Sequence, residues 1–391
     1  QRQLVPRPQA PRVEALHDAA LVNPLETPEA LCLKAGSKAT LREALGNALG
    51  HLNRLSDGAV LTTAADLLGS TSATLIGKGF PSGFFHTSKN PDARLFAGGG
   101  ICEDAMSGIV SGLASFGGHV GVASSYGAFM APLSHISARL HAIGSLSRRH
   151  LIPDAPHRTM VVNCAHAGLK TGEDGPTHAD PQALQLLQEN FPRGAMITLT
   201  PWDPQELWPL TAAAFIARPA VIAPFVTRPS ETVVDRAAMG LAPASAAVKG
   251  VYCLRPARTD APRDGTIVLQ ESGVTCAFVH NVLPLIDDAG FNLAVYYVAS
   301  AELFDLLPAD EREAIYPEAL AQEAMGITGF TLPTLYRWVR SEAGRVHSLH
   351  PFMQERYLGS GSADAVLKEA KLDAEGQFEG IAKYVASRRA A

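Results

Sequence analysis

The sequence predicts an α/β protein of two consecutive domains with mainly parallel sheets. Three observations lead there. At 391 residues the chain is long for one core, which usually serves about 100 to 200 residues. TMVVNC has the continuous apolar character of a strand covered on both faces, and AVIAPFV and GTIVLQES also read as strands. Between such runs lie stretches with apolar residues at helical spacing, and a loop dense in Gly, His and acids follows a strand, where open parallel sheets place their chemistry.

Taken in order, residues 1–35 mix Pro, Arg, Gln and short apolar runs and read as an N-terminal arm or the remainder of a linker. From Ser37, SKATLREALGNALGHLNRL predicts a helix, and AVLTTAADL a short buried strand running into a turn. ICEDAMSGIVSGLASFGG, from Ile101 to Gly118, predicts a helix ended by Gly117 and Gly118. Another helix is expected over Ser134 to Ile143, and a strand over Thr159 to Cys164 that empties into the loop HAGLKTGEDGPTH. The strand MITLT, the helix DPQELWPLTAAAFI and the strand AVIAPFV complete a domain over residues 36–235. Small residues and turn formers between Arg228 and Gly250 mark the boundary to a second domain, residues 236–391. In it GTIVLQES and FNLAVYYVAS read as strands, CAFVHNVLPLIDDAG and EGQFEGIAKYVASRR as helices.

Lys and Arg total 33 against 38 for Asp and Glu, so the net charge of -5 offers no general attraction to nucleic acid or anionic lipid. A hydrophobic fraction of 47% with 18% charged residues excludes a disordered chain. Five scattered Cys form neither a disulfide framework nor a thiolate metal site, which points to a reducing compartment. With no uninterrupted apolar run of about 20 residues, the expectation is a soluble cytoplasmic protein with no membrane partner. There is no internal repeat and no GxGxxG, P-loop, HExxH or GxSxG motif.

The strongest local signal is His166 to His178, with two histidines, two acids, one Lys and three glycines in thirteen residues. Such a segment turns backbone donors and imidazoles toward one polar ligand, although a charged surface turn has the same composition. His166, Glu173, Asp174 and His178 are chemically able to bind a metal, but their spacing is no specific zinc signature, and no protein-ligated metal is expected here. Glu103 precedes an apolar helix and either polarises its N-terminus or serves a ligand. Tyr126 and Phe129, three apart in SSYGAF, suit either a planar ligand or a core.

GEDGPTH, with His166 upstream and CEDAMSGIVSG before it, resembles the thiamine-diphosphate-dependent transketolase family. The resemblance covers nearly the whole chain but only the pyrimidine-binding and C-terminal domains of a full enzyme, so the fold it implies is transketolase-like. It implies that Glu103 hydrogen-bonds the cofactor aminopyrimidine and favours its imino tautomer, which activates the thiazolium carbon. Tyr126 and Phe129 match the aromatic patch that receives the pyrimidine, in a version closer to that of phosphoketolases. His166 and His178 match catalytic histidines of the substrate channel, Asp174 the aspartate near the donor sugar's hydroxyls, and Ser70 and Arg228 the phosphate contacts. Where the family has a phosphate arginine in the first helix this chain has Ser37, followed by Lys38 as the candidate replacement.

The implied reaction moves a two-carbon ketol unit from a ketose phosphate to an aldose phosphate, with carbon chemistry on the cofactor and no protein nucleophile. The GDG-to-Asn segment that holds Mg2+ or Ca2+ and the diphosphate is missing from this sequence. The chain is therefore expected to be inactive alone, and to work with an N-terminal diphosphate-binding domain or subunit in a homodimer or heterotetramer. A phosphoketolase-like half, a deoxyxylulose-phosphate synthase and a noncatalytic structural or regulatory subunit are the alternatives.

Overall fold

The computed structural model describes residues 10–178 and 180–390, so the first nine residues of the predicted arm lie outside it. The first unit is built on the strands β1 (Lys38–Thr40), β2 (Val60–Ala64), β3 (Val120–Ser125), β4 (Met160–Cys164), β5 (Met196–Leu199), β6 (Val221–Pro224) and β7 (Ser230–Thr232). Five of them form a parallel sheet in the order β2-β3-β4-β6-β5, while β1 and β7 pair antiparallel. Every residue of β2, β3 and β4 is buried, as strands covered on both faces must be.

Four helices supply that cover: α1 (Leu41–Leu55), α2 (Glu103–Phe116), α3 (Leu140–Leu151) and α4 (Leu207–Ala217). Side chains alternate along a strand, so Val122 packs in one core with Leu45 and Leu49 of α1 and Phe215 of α4. The next residue, Ala123, joins Met106 and Val110 of α2 in the core on the other face.

Three local expectations need correction. The first helix starts at Leu41, not Ser37: the Thr40 hydroxyl accepts from the Glu43 N–H (3.1 Å) and donates to the Glu43 carboxylate (2.8 Å). Residues 38–40 serve the ladder with β7 instead. The helix expected from Ser134 winds as a π-helix over Leu133–Arg139 before α3, which runs on to Leu151. The loop after β4 is wound into 3-10 turns over Leu169–Thr177, closed where the His178 N–H meets the carbonyl of Gly175 (3.1 Å), a residue with φ +70°.

The second unit has a four-stranded sheet, from β8 (Val251–Arg255), β9 (Gly265–Gln270), β10 (Leu293–Val298) and β11 (Met325–Thr328). Its order is β11-β9-β10-β8, with β8 antiparallel to β10 and the other pairs parallel. A polar network joins the two units: buried Arg236 pairs with Asp203 (2.9 Å) and Glu206 (2.8 Å), and the Tyr252 hydroxyl donates to Glu206 while accepting from the Trp202 indole (2.9 Å). Such a network stabilises only when every member is satisfied.

Glu271, just past β9, is a second junction. It is 2% exposed and left-handed at φ +88°, and its carboxylate accepts from the N–H groups of Gly273 (2.8 Å) and Val274 (3.0 Å). Burial pushes its pKa up to about 7. Because the folded state holds this proton more tightly than the unfolded chain, the group's stabilising contribution is complete below about pH 4.5 and is lost as pH rises through about 7. The stability difference between wild type and Glu271→Gln, from thermal melts, is expected to shrink between about pH 5 and 7 and to level off above. A difference that ignores pH would show that this carboxyl is well solvated.

Candidate functional site

The site is assembled at the C-terminal ends of β2, β3 and β4, where a parallel sheet opens a crevice. Glu103 is the first residue of α2, and its carboxylate accepts from the Ser125 hydroxyl (3.0 Å) at the end of β3. Among the described residues no other hydrogen bond to this half-buried carboxylate is made. Its place in the first turn of the helix and the bond from Ser125 fix the direction of this carboxylate.

The next residue along, Tyr126, faces another group. Its ring stacks on His166 with centroids 3.4 Å apart and planes 11° apart, and its hydroxyl donates to the Ser70 hydroxyl (2.9 Å). Phe129 lies parallel to Tyr126 at 6.3 Å, and His178 meets Phe129 edge-on at 5.4 Å. Tyr126 is 6% exposed and gives one face to His166, so it presents less open surface to a planar ligand than its motif suggests.

His166 is fully buried beside the Ser70 backbone, and among the described residues neither ring nitrogen makes a well-formed hydrogen bond. Asp174 is 3.8 Å away, too far for a hydrogen bond, and is held instead by Arg228 at 3.3 Å. Burial, then the charges of Arg228 and Arg42, lower the His166 pKa to about 3, so the ring is neutral at physiological pH. An orphaned neutral imidazole has one donor and one acceptor to offer a ligand. His166, Glu173, Asp174 and His178 do not converge into a metal-binding group among the described residues.

Sequence reasoning missed Arg42. The structure brings its guanidinium to the carbonyl of Ser70, leaves its Nε buried without a partner, and sets it near Arg228 and Tyr126. Lys38, the residue expected to replace the phosphate arginine, donates to Thr232 in the β1–β7 pair (2.7 Å). A signal for Arg42 was available: it stands in the first turn of α1, where the helix dipole disfavours a cation, so its presence needs another reason.

This set of residues falls within a stretch, residues 37–228, that matches the family described as "Transketolase, pyrimidine binding domain". The stretch is a transketolase-family pyrimidine-binding domain. Transketolase 1 and Transketolase 2 of Pasteurella multocida (strain Pm70) are each 26% identical to the chain over 275 residues, covering 69% of this chain and 36% of theirs. The chain thus spans about a third of the length of the curated relatives it matches. Transketolase from Leishmania mexicana superposes with a TM-score of 0.72 at 19% identity, over 94% of this chain and 49% of that one. Transketolase from Campylobacter jejuni gives 0.68 at 19%, over 93% and 50%. These structural likenesses show the transketolase-like, two-domain α/β fold across nearly the whole chain.

Within the transketolase-type domain, the low basicity of His166 has a direct test. In Arg228→Ala its imidazole pKa is expected to move upward in an NMR titration, because one of the two repelling charges is removed. An unmoved value would place Arg228 outside its electrostatic surroundings.

Proposed function

We propose that this chain is the pyrimidine-side half of a transketolase, moving a two-carbon ketol unit from a ketose phosphate to an aldose phosphate once a diphosphate-binding domain or subunit completes the centre. The observation that carries the reading is the Glu103 carboxylate, fixed by Ser125 one residue before a Tyr126 that covers an orphaned, neutral His166. The transketolase family is generally dependent on thiamine diphosphate. The residues present fit its pyrimidine end: a carboxylate with one oxygen bonded by Ser125, and an aromatic ring, Phe129, parallel to the Tyr126 that follows Ser125. When bound, thiamine diphosphate supplies the carbon nucleophile and electron sink for cleaving the bond next to a ketose carbonyl.

The chain's own residues then have distinct tasks. Glu103 holds the pyrimidine ring and exchanges a proton at its carboxyl group. His166, neutral and with no well-formed hydrogen bond among the described residues, donates from one nitrogen and accepts at the other toward sugar oxygens, with His178 beside Phe129 lining the same space. Asp174 accepts from sugar hydroxyls, and Ser70, Arg228 and Arg42 hold the phosphate, for which guanidinium geometry is well suited.

The Mg2+ or Ca2+ ligands and the diphosphate contacts belong to the partner domain, in a homodimer or heterotetramer. Exposed apolar residues at the two ends of α2 support a subunit contact: Ile101, just before Glu103, and Phe116, the last residue of the helix, are 78% and 76% exposed. The Tyr126 version of the aromatic motif gives a phosphoketolase-like half as the second reading, distinguished by acetyl phosphate formed only with inorganic phosphate.

Mixing the chain with the diphosphate-binding half of a transketolase is expected to restore thiamine-dependent ketol transfer, and Glu103→Gln to lower it by about 10²-fold or more. Arg42→Ala and Arg228→Ala are expected to raise KM for phosphorylated ketoses while sparing unphosphorylated ones. Near-normal transfer by Glu103→Gln would refute the role given to that carboxyl.

A further inference from the structure

The opposite end of the same sheet holds a second concentration of chemistry, which ketol transfer does not use. His119 precedes β3, residues 157–159 precede β4, Arg148 lies near the end of α3, and Arg218 follows α4. With Glu14 and His17 of the N-terminal segment they enclose a cavity of about 120 Å³. The six residues of β3 separate it from Ser125 by roughly 20 Å at about 3.3 Å per residue.

Charge is unbalanced around this cavity. Arg148, Arg158 and Arg218 line it, with Arg149 behind, and the one carboxylate in its lining is Glu14, which forms a two-pronged pair with Arg218 (2.6 and 2.7 Å). The histidines around it are held neutral mainly by burial, with nearby arginines adding to the effect. Arg149 donates to His157 Nε2 (2.7 Å), so the His157 proton sits on Nδ1 toward Ser145 (2.7 Å) and the ring is neutral. Burial and then Arg149 hold its pKa down at about 4. Burial lowers His17 and His119 as well, with a further contribution from Arg218 to the first and Arg94 to the second.

Arginines near helix ends also solvate orphan carbonyls, and two do so here: Arg158 donates to Ser115 O at the end of α2 and Arg148 to Pro156 O (2.8 Å). Each guanidinium carries five N–H donors, and those bonds occupy one apiece among the described residues. Arg218 is engaged by Glu14 and by the His157 carbonyl (3.2 Å), but one carbonyl contact apiece does not account for the guanidiniums of Arg148 and Arg158 beside the same polar space. The cavity is several times the minimum that a water requires, which leaves room for a tetrahedral oxyanion.

We propose that this cavity is a phosphate-group site, separate from the reaction centre, in which Arg148, Arg158 and Arg218 bind the oxyanion and His119 closes its wall. The site stands independently of the ketol-transfer reading. Its occupant is either free inorganic phosphate or the phosphate of a sugar phosphate, which share the same recognition chemistry.

Calorimetric titration of the full 391-residue chain with inorganic phosphate, and separately with ribose 5-phosphate, tests this. Saturable binding of inorganic phosphate that weakens about tenfold or more in Arg148→Ala and persists in Arg228→Ala is the expected result. Comparable affinity for ribose 5-phosphate in Arg228→Ala would assign the site to phosphate groups in general, and retention of inorganic phosphate alone would assign it to the free ion. Since Arg158 also anchors the end of α2, Arg148→Gln with an unchanged circular dichroism spectrum serves as the folding-neutral variant. Shifts of the His119 and His17 ring proton signals on adding phosphate should mark the location. No saturable binding, or binding abolished by Arg228→Ala and untouched at Arg148, overturns the proposal.

Discussion

The segment that carries His166, Asp174 and His178 leaves the sheet under one steric condition: it must pass the buried carboxylate of Glu271. Gly168 sits at φ +69°, and a Cβ there would lie 2.5 Å from Glu271 Oε1; a Cβ at Gly329 would lie 2.3 Å from Oε2. Only residues without side chains fit against that carboxylate from both units, and only glycine takes this backbone conformation cheaply. Two residues on, Lys170 closes a buried ion pair with Glu231 (2.5 Å). The chain is thus fixed at its entry into the 3-10 turns, and the functional side chains downstream inherit that position. Glu271 itself is left-handed, a conformation costly for a side-chain-bearing residue, which the bonds from Gly273 and Val274 help to offset.

Strand alternation divides the labour at the site. Ser125 and Tyr126 are neighbours whose side chains point to different partners, Glu103 on α2 and the stacked His166. Because β3 and β4 are parallel and in register, with Ser125 opposite Cys164, the end of one strand and the segment carrying the histidine beyond the other come side by side. A slip of one residue would turn Tyr126 toward α2 and Ser125 toward the histidine, separating the carboxylate from its donor. The proposed cofactor pocket therefore depends on sheet register as much as on the residues that line it.

Much of this was legible in the sequence. The buried runs read as parallel strands because residues covered on both faces must be apolar throughout, and α2 was bounded by Gly117, whose φ of +86° ends a helix. GEDGPTH and CEDAM pointed to the family. What stayed hidden depends on long-range placement. Residues 38–40 become a strand only because Ser230–Thr232 comes alongside, and the short pair has no periodicity of its own. Glu271 was read only as part of the strand run GTIVLQES; its cap role and its position between the units show only in the fold, against two glycines about 100 and 60 residues away. The first-turn position of Arg42 was a hint, but its partners were not readable, because the fold alone brings Ser70 and Arg228 to it.

The electrostatics of the site give the arginines a second consequence. His166 is held neutral by burial and by two guanidinium charges, which disfavour a proton on that ring. An anion seated between Arg42 and Arg228 offsets both charges, and the proton affinity of the histidine rises without any movement of the ring. Burial still opposes the charged form, so the rise is partial and the histidine returns to its neutral state when the anion departs. Under the proposed transketolase reading, a phosphorylated sugar would be distinguished from an unphosphorylated one twice, first in binding and again in how readily His166 holds a proton near the sugar's oxygens. Lys38, tied to Thr232 in the ladder, has no such influence, which is why the position of the second cation, and not merely its presence in the chain, decides what the site can do.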